Sequence, residues 1–217
     1  ILDWTGSMPK VSEQHLEARK QQIVDAAFQC FARKGFHPTT MQEICAEADL
    51  SAGAVYRYFE SKQAIIASAC DVTQETSDKE LLARAIEVPD TRQMLQGLAD
   101  AFFSRVDGPD ATVQNRAILQ LWAEVAVNDE VRGTFKEREA TIADGMRAIV
   151  VEAQERDDFD VRLDSQSVVR AMFALYDGFR LQKAIDPSTP TAPYVTVVKA
   201  LLTGSFWTGA MPNPAKT

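Results

Sequence analysis

Two short helices joined by a three-residue turn are encoded in the first third of this sequence, and this feature constrains the fold most. Thr40-Met41-Gln42-Glu43 has the T-x-x-E form of a capping box, in which a hydroxyl and a carboxylate bond to the free amides at a helix start. Asp49-Leu50-Ser51 predicts a turn, because aspartate tolerates a left-handed backbone and serine caps a following helix. We therefore predict one helix from Met41 to about Ala48 and another from Ala52 to about Tyr58.

A longer helix precedes this pair and another follows it. Ile23, Ala27 and Phe31 recur every four residues, and Lys34-Gly35 is typical of a helix end. Ser61 begins a further helical pattern that continues towards Leu81. A long helix, two short helices across a tight turn and a connecting helix together form a helix-turn-helix module.

The rest of the chain has the same helical periodicity and no convincing alternating strand pattern. We predict an all-α protein of about nine helices, with a three-helix helix-turn-helix domain over residues 12–70 and a second helical domain over 71–217. Residues 1–11 are expected to be an amino-terminal arm or an added leader. The breaks between the later helices are predicted at 88–90, 107–109, 128–129, 157–164 and 186–190.

The charge is distributed unevenly. The net charge is −8, yet Met8 to Cys70 contains seven basic and seven acidic residues, whereas Asp71 onward contains 16 basic and 23 acidic residues. Only the neutral first part can therefore present a basic face to nucleic acid. The longest apolar run, Ala171 to Tyr176, is far shorter than the ~20 residues of a membrane span, so a cytoplasmic protein is expected.

No pattern of an enzyme, a metal site or a cofactor site is found in the sequence. His15 and His37 are far apart, and Cys30, Cys45 and Cys70 form no C-x-x-C pair. G-x-S-x-G, H-E-x-x-H and glycine-rich phosphate loops are absent from the sequence. We therefore expect a protein that is not an enzyme and that has neither a catalytic residue nor a bound metal or cofactor.

The helix-turn-helix pattern carries side chains that suit double-stranded DNA. The second short helix of such a module enters the major groove, and small residues on it allow close approach to the bases. Hydroxyls and amides at a helix start, phenols and cations suit backbone phosphates. The candidate DNA-binding residues are Thr39, Thr40, Ser51, Ala52, Gly53, Ala54, Tyr56, Arg57, Tyr58 and Lys62.

The segment TTMQEICAEADLSAGAVYRYFESK resembles the signature of the TetR family of one-component transcriptional regulators, and IVDAAFQCFARKGF resembles that family's first helix. The resemblance spans about Gln21 to Ala67. It implies that Thr40, Tyr56 and Lys62 hold phosphates and that Ser51 to Ala54, with Arg57, read bases. Asp49 stands where the family usually has glycine.

In the second half, LQLWAEVAVNDEVR and ALYDGFRLQKAID resemble regulatory domains of the same family, which implies a helical effector pocket and a homodimer formed by the last two helices. Two adjacent apolar stripes, from Val168 to Phe179 and from Val169 to Tyr176, independently predict such an interface, and the alternative is that they are fully buried within one subunit. The candidate ligand-binding residues are Met94, Leu98, Phe102, Leu121, Trp122, Phe135, Met146, Phe173 and Tyr176, with Gln120, Glu124, Asp177 and Arg180 as polar candidates.

The resulting prediction is a dimeric, ligand-responsive DNA-binding regulator, released from its operator by a small hydrophobic effector. Trp122 and Tyr176 near acidic residues would suit a lipophilic cation. The alternative is a helical small-molecule-binding or interaction module that never binds DNA. Steep loss of affinity with salt distinguishes the first from the second, because only DNA binding releases condensed counterions.

Overall fold

The computed structural model describes residues 13–68, 73–108 and 110–205. These residues form ten helices and no strand, which confirms the all-α prediction. By its internal contacts the chain divides into two compact units, Ile1–Ala69 and Cys70–Thr217. No helix of the described ranges is both long and apolar enough to cross a membrane.

The first unit contains α1 (Glu13–Lys34), α2 (Met41–Glu47), α3 (Ala52–Tyr56) and α4 (Lys62–Ser68). Helix α1 packs against α2 and α4, and α2 packs against α3. The apolar residues expected to hold these helices together are buried, among them Ile23, Phe31, Ile44, Val55, Phe59 and Ile65. Burying each of these side chains contributes about 1.5–3 kcal/mol, so this small core suffices to orient α3.

The helix ends follow the sequence signals closely. Gly35, after the last residue of α1, has a φ of 89°, a conformation that glycine adopts without a steric penalty. Helix α3 ends at Tyr56, two residues before the predicted end, with Arg57 as its C-cap. The pattern beginning at Ser61 is described as two helices, α4 and then α5 (Thr73–Ile86). Residues 69–72 lie outside the described ranges, so a continuous helix there stays a prediction.

The second unit continues with α6 (Thr91–Ser104), α7 (Ala111–Val127) and α8 (Asp129–Glu155), followed by α9 (Ser165–Ile185) and α10 (Thr191–Leu202). Helix α9 packs against both α7 and α8, while α10 packs against α6. Asn128 separates α7 from α8 and caps α8 through its side-chain oxygen, which accepts from the amides of Glu130 and Val131. Residues of α6, α7, α8 and α9 line the cavity described below.

Candidate nucleic-acid interface and effector cavity

The start of α2 is fixed by the predicted capping box. The Thr40 hydroxyl accepts from the Glu43 amide at 3.3 Å, and the Thr40 amide donates to the Glu43 carboxylate at 2.8 Å. Lys34, at the end of α1, pairs with the same carboxylate. The bonds from Lys34 and Thr40 lower the pKa of Glu43 to about 2. The carboxylate thus links α1 to the start of α2.

The turn between α2 and α3 has the predicted conformation. Asp49 has a φ of 52°, in the left-handed region that aspartate tolerates better than most residues. Gln22 of α1 donates from Nε2 to the carbonyl of Ala48 at 2.7 Å and holds the end of α2. The Ser51 hydroxyl accepts from the Ala54 amide at 3.2 Å and caps α3, as predicted.

Helix α3 has a buried side and an exposed side. Val55 and the following Phe59 are buried against the rest of the unit, whereas Ser51, Ala52, Gly53, Tyr56 and Arg57 are exposed and Ala54 and Tyr58 are half-buried. A Cβ atom placed on Gly53 would meet nothing within 4 Å, so the fold itself does not require glycine there. The exposed side is a low surface of small side chains bordered by a phenol and a guanidinium. We call it the α3 surface: residues 51–54, 56 and 57.

The basic side chains of the first unit differ in whether they already form an ion pair and so in whether they are available to DNA. Arg33 pairs with Glu47 at 2.6 Å, joining α1 to α2. Lys34 is engaged by Glu43. The guanidinium of Arg57, by contrast, has no hydrogen bond or ion pair with any described residue. Of these three cations, Arg57 is the one whose charge can meet a phosphate or a base edge without breaking an existing pair.

Two predicted DNA ligands occupy positions that do not suit the predicted role. The Thr39 side chain is buried, and its hydroxyl donates to the Gly35 carbonyl at 2.7 Å. This bond closes the turn after α1. Lys62 Nζ donates to the carbonyls of Phe36 and His37 at 2.8 Å and of Thr39 at 3.0 Å. These bonds use the three N–H donors of the ammonium group. The structure thus makes Lys62 a tether of the α1–α2 loop.

The second unit contains a cavity of about 140 Å³ between α6, α7, α8 and α9, which we call the central cavity. It adjoins a depression of about 410 Å³ that shares six of its lining residues. Six of the nine predicted ligand-binding residues line the central cavity: Phe102, Leu121, Trp122, Phe135, Phe173 and Tyr176. Most of the apolar residues that line the central cavity were thus among the predicted ligand-binding residues.

The other three predicted residues lie deeper. Leu98 and Met146 line a much smaller space of about 40 Å³, together with Phe102, Phe173 and Tyr176. Met94 is buried in the same apolar cluster as Leu98 and Met146. We therefore assign these three residues to the packed core, because they are almost fully buried among apolar neighbours.

Several cavity residues were missed by the sequence analysis although helical spacing points to them. Ile118 precedes Trp122 by four residues, and Glu139 follows Phe135 by four, so each pair shares one helix face. The complete set of missed residues is Arg105, Gln114, Ile118, Glu139 and Ile142. Of the four polar candidates, Asp177 and Arg180 line the cavity, whereas Gln120 and the buried Glu124 do not.

The charged residues Asp177 and Arg180 of the central cavity differ in the contacts that they make. Burial raises the pKa of Asp177 to about 6; the nearby Arg180 opposes this rise and Glu139 adds to it. Arg180 lies 5.5 Å from the centre of the Tyr176 ring and donates from Nε to Asn115 at 3.2 Å. The Asp177 carboxylate has no hydrogen bond with any described residue. The cavity therefore holds a half-buried carboxyl group whose charged form is disfavoured by burial and favoured by the nearby Arg180.

The predicted dimer stripes on α9 face inward, which corrects the sequence prediction. Val169 and Phe179 are buried, and their stripe neighbours Val168, Met172, Phe173, Leu175 and Tyr176 pack against the two apolar clusters of the second unit. The reason is that α9 lies between other helices of its own unit and uses this apolar arc for its own core. The apolar side chains left exposed on the last two helices are Leu181, Ile185, Val197 and Leu201. Phe206, which the sequence pattern places on the apolar face of the last helix, lies outside the described residues.

The α3 surface, carried by a capped helix-turn-helix, and the cavity in a separate helical unit define a helix-turn-helix transcriptional regulator. Comparison with known proteins specifies the family. Residues 23–69 match the model for bacterial regulatory proteins of the TetR family, and residues 89–206 match the carboxy-terminal domain of BetI-type transcriptional repressors. The chain belongs to the TetR family.

Individual relatives are similar over different lengths. The transcriptional regulator UidR of Escherichia coli is 23% identical over 185 residues, 85% of this chain and 91% of UidR. The transcriptional repressor Rv1474c of Mycobacterium tuberculosis is 43% identical over 58 residues, 27% of this chain and 31% of that protein. The match to YerO of Bacillus subtilis likewise spans only 19% of YerO. The higher identities are thus confined to segments of about 60 residues.

Solved structures share the fold over most of the chain. The fatty acid degradation regulator FadR of Bacillus halodurans has a TM-score of 0.74 at 21% identity, over 87% of this chain and 96% of that one. GusR of Salmonella enterica has a TM-score of 0.67 at 25% identity, over 90% and 97%. The FadR of Bacillus subtilis, with a TM-score of 0.70 at 21% identity over 86% and 99%, was solved in complex with stearoyl-CoA.

Proposed function

We propose that this protein is a repressor that binds operator DNA through the α3 surface and is released when a small hydrophobic effector enters the central cavity. The observation that carries the proposal is the combination on α3 of exposed small residues, an open Gly53 and an unpaired Arg57. Small side chains let the helix lie close to base edges, and Arg57 can bond to guanine or to phosphate. Tyr56, which is 52% exposed, supplies a phenol beside it.

The other candidate contacts follow from their positions. Ser51, Ala52, Gly53 and Ala54 lie at the start of α3 and are proposed to face bases, with methyl groups available to thymine. Thr40 and Tyr58 are proposed to contact the backbone. Thr39 is left out because it is buried, and Lys62 is assigned to positioning of the loop it tethers.

We infer that the protein works as a homodimer through α9 and α10. Ile185 is 74% exposed, and Leu181, Val197 and Leu201 are each exposed by close to half. Large apolar side chains that stay exposed on a helix favour a protein partner. A homodimer also provides the two copies of α3 that reading a two-fold operator requires, since successive major grooves on one face of a duplex are ~34 Å apart.

Release by an effector requires that the effector favours one of two conformations. A ligand with equal affinity for the DNA-bound and free conformations would leave DNA binding unchanged. The coupling is also reciprocal, so operator DNA must weaken effector binding by the same factor. Phe102, Leu121, Trp122, Phe135, Phe173 and Tyr176 are the proposed apolar contacts of the effector.

The test is fluorescence anisotropy of a labelled duplex from the gene's own promoter, titrated with the full chain. We expect affinity to fall by orders of magnitude between about 50 and about 200 mM salt, because phosphate neutralisation releases counterions. Arg57→Gln should weaken binding at least about tenfold and relax the preference for one base position. The control is Arg147→Gln, which removes an exposed arginine from α8 of the second unit.

Binding that is absent at low salt, or that is equal for the parent and for Arg57→Gln, would contradict the proposal. If the protein does not bind duplex DNA but does bind small apolar molecules, the alternative of a ligand-binding module is supported. Thermal shift in the presence of small molecules measures that uptake, because a ligand that prefers the native state raises the melting temperature.

A further inference from the structure

Lys183 of α9 is the one buried cation among the residues that the structure describes. Its Nζ atom donates to the Asp107 carboxylate at 2.7 Å and to the backbone carbonyls of Pro187 and Thr189, each at 3.0 Å. These bonds use the three N–H donors of the ammonium group, so the buried charge is fully paired. The bond from Lys183 also lowers the pKa of Asp107, so the charged form of the pair is favoured.

These four residues, which we call the Lys183 cluster, come from three separate segments of the second unit. Asp107 follows α6 in the connection to α7, Lys183 lies in the last turn of α9, and Pro187 and Thr189 belong to the loop between α9 and α10. Helix α9 packs against α7 and α8, whereas α10 packs against α6. The cluster therefore joins the loop that leads into α10 to the segment that follows α6, and it helps to set how α9 and α10 lie relative to each other.

Stability alone is a poor explanation for a buried ammonium group at this position. Removing a charge from water costs free energy that its attraction to a carboxylate only roughly offsets, and an apolar side chain of similar size often stabilises a fold as well or better. Apolar packing already holds α10 against α9, because the Tyr194 ring stacks on the Phe179 ring with centres 4.1 Å apart. A better attested use of a buried polar group is to select one arrangement of helices over others.

The apolar side chains that stay exposed on the last two helices lie close to this cluster in the chain. Leu181 and Ile185 are each two positions from Lys183 on α9, and the other two lie on α10. We propose that Lys183 is a positioning residue for subunit association: its bonds to Asp107 and to the loop hold α9 and α10 in the arrangement in which two subunits pack together. This inference rests on the proposed homodimer, and it names the side chain that sets the geometry of the dimer face.

The chain offers two carboxylates that are matched in position and exposure. Asp107 pairs with Lys183 of α9 at 2.7 Å, and Asp100 of α6 pairs with Lys199 of α10 at 2.5 Å. Their side chains are 50% and 59% exposed, so both positions tolerate asparagine, which has the same size without the charge. Asp107→Asn therefore weakens the Lys183 cluster, whereas Asp100→Asn removes a similar ion pair that does not include the loop between α9 and α10.

The test is the dimer dissociation constant of the full chain, measured by sedimentation equilibrium on variants whose helix content by circular dichroism equals that of the parent. We expect Asp107→Asn to raise the constant at least about fivefold and Asp100→Asn to leave it within about twofold. Lys183→Met should raise it at least about tenfold, because three acceptors lose their donor. Combining Lys183→Met with Asp107→Asn should raise it no further, since both groups act through the same cluster. A merely structural role would lower the free energy of unfolding and leave the dissociation constant unchanged.

The inference is overturned if Asp107→Asn dimerises as tightly as the parent, or if Asp100→Asn weakens the dimer by the same factor. The effects of Lys183→Met and Asp107→Asn adding in full would also overturn it, because they would then act independently. Should Lys183→Met not fold, the comparison of the two aspartate variants decides alone. A parent protein that is monomeric at every concentration would overturn the proposed homodimer itself, whereas a dimeric parent with an unaffected Asp107→Asn variant would overturn the role of Lys183 only.

Discussion

The Nζ atom of Lys62 lies 2.8 Å from the backbone carbonyl oxygen of Phe36 and 4.6 Å from the centre of the same residue's ring. The first residue of α4 thereby holds the loop that ends α1, 26 positions earlier in the chain. The same ammonium group donates to the carbonyls of His37 and Thr39, so one side chain bonds to three carbonyls of the loop before α2. These contacts support the proposed role of Lys62 in positioning the helix-turn-helix.

Lys62→Met is expected to lower the free energy of unfolding by about 2 kcal/mol, because hydrogen bonds from a charged donor are lost and the carbonyls lose their partner. Urea unfolding measures the change. The control is Lys20→Met, which removes an exposed lysine paired with Glu17 and should cost under about 0.5 kcal/mol. If Lys62 instead binds a phosphate, the slope of log operator affinity against log salt concentration is smaller in magnitude by about 1 for Lys62→Met than for the parent. That result would contradict the positioning role.

Gly53→Ala should separate folding from DNA binding. Position 53 lies in α3 with open space around it, so alanine should raise the free energy of unfolding by about 0.5–1 kcal/mol through its helix propensity. The added methyl group would stand between the helix and the bases, and we expect at least about tenfold weaker operator binding. Gly97→Ala, at an equally open position of α6, should stabilise similarly without affecting DNA binding. Unchanged affinity of Gly53→Ala would show that α3 does not approach the bases closely.

Asp177→Asn should change how stability depends on pH. The pKa of Asp177 rises from 3.8 to about 6 on folding, so the folded state gains stability from the bound proton below pH 3.8 and loses it as the pH rises through 6. Asparagine stays neutral at every pH. The melting temperature of the variant should therefore be a few degrees above that of the parent at pH 8 and nearly equal to it near pH 4. Differential scanning calorimetry across this range measures the effect. A difference that is constant with pH would exclude titration of Asp177 as its source.

Ile185→Asp should disrupt the proposed dimer. A charge at this exposed position of α9 would be buried without a partner in a two-fold interface, so sedimentation should detect monomers. Operator affinity should then fall by about a hundredfold or more, because two linked half-site contacts become one. Val161→Asp alters a similarly exposed valine in the loop before α9 and should leave the dimer intact. A parent protein that is already monomeric would contradict the interface.

Local signals predicted the parts of the structure that depend on neighbouring residues. The capping box at Thr40, the left-handed Asp49 and the serine cap of α3 each involve groups within about four positions, and all three are present. Most of the cavity wall was also predictable, because residues one helical turn apart share a face. These features need no knowledge of how distant segments meet.

Long-range contacts account for what the sequence did not predict. Nothing near Lys62 indicates that its side chain reaches a loop 26 residues away. The apolar stripes on α9 were compatible with either a partner or the chain's own core, and only their packing against apolar residues of α5, α6, α8 and α10 decides between the two. Thr39 was expected to be available to DNA, but its hydroxyl closes the turn with Gly35.

Helix α9 carries Asp177 on the cavity wall and Leu181, one turn later, among the exposed apolar side chains. In a dimer of the proposed kind, a single rigid helix would then both sense the effector and contact the neighbouring subunit. Occupancy of one subunit would change the affinity of the other before any signal reached the operator. Induction curves would therefore be sigmoidal or biphasic with respect to effector concentration, and transcription would respond over a narrower or a wider range of doses than independent subunits allow.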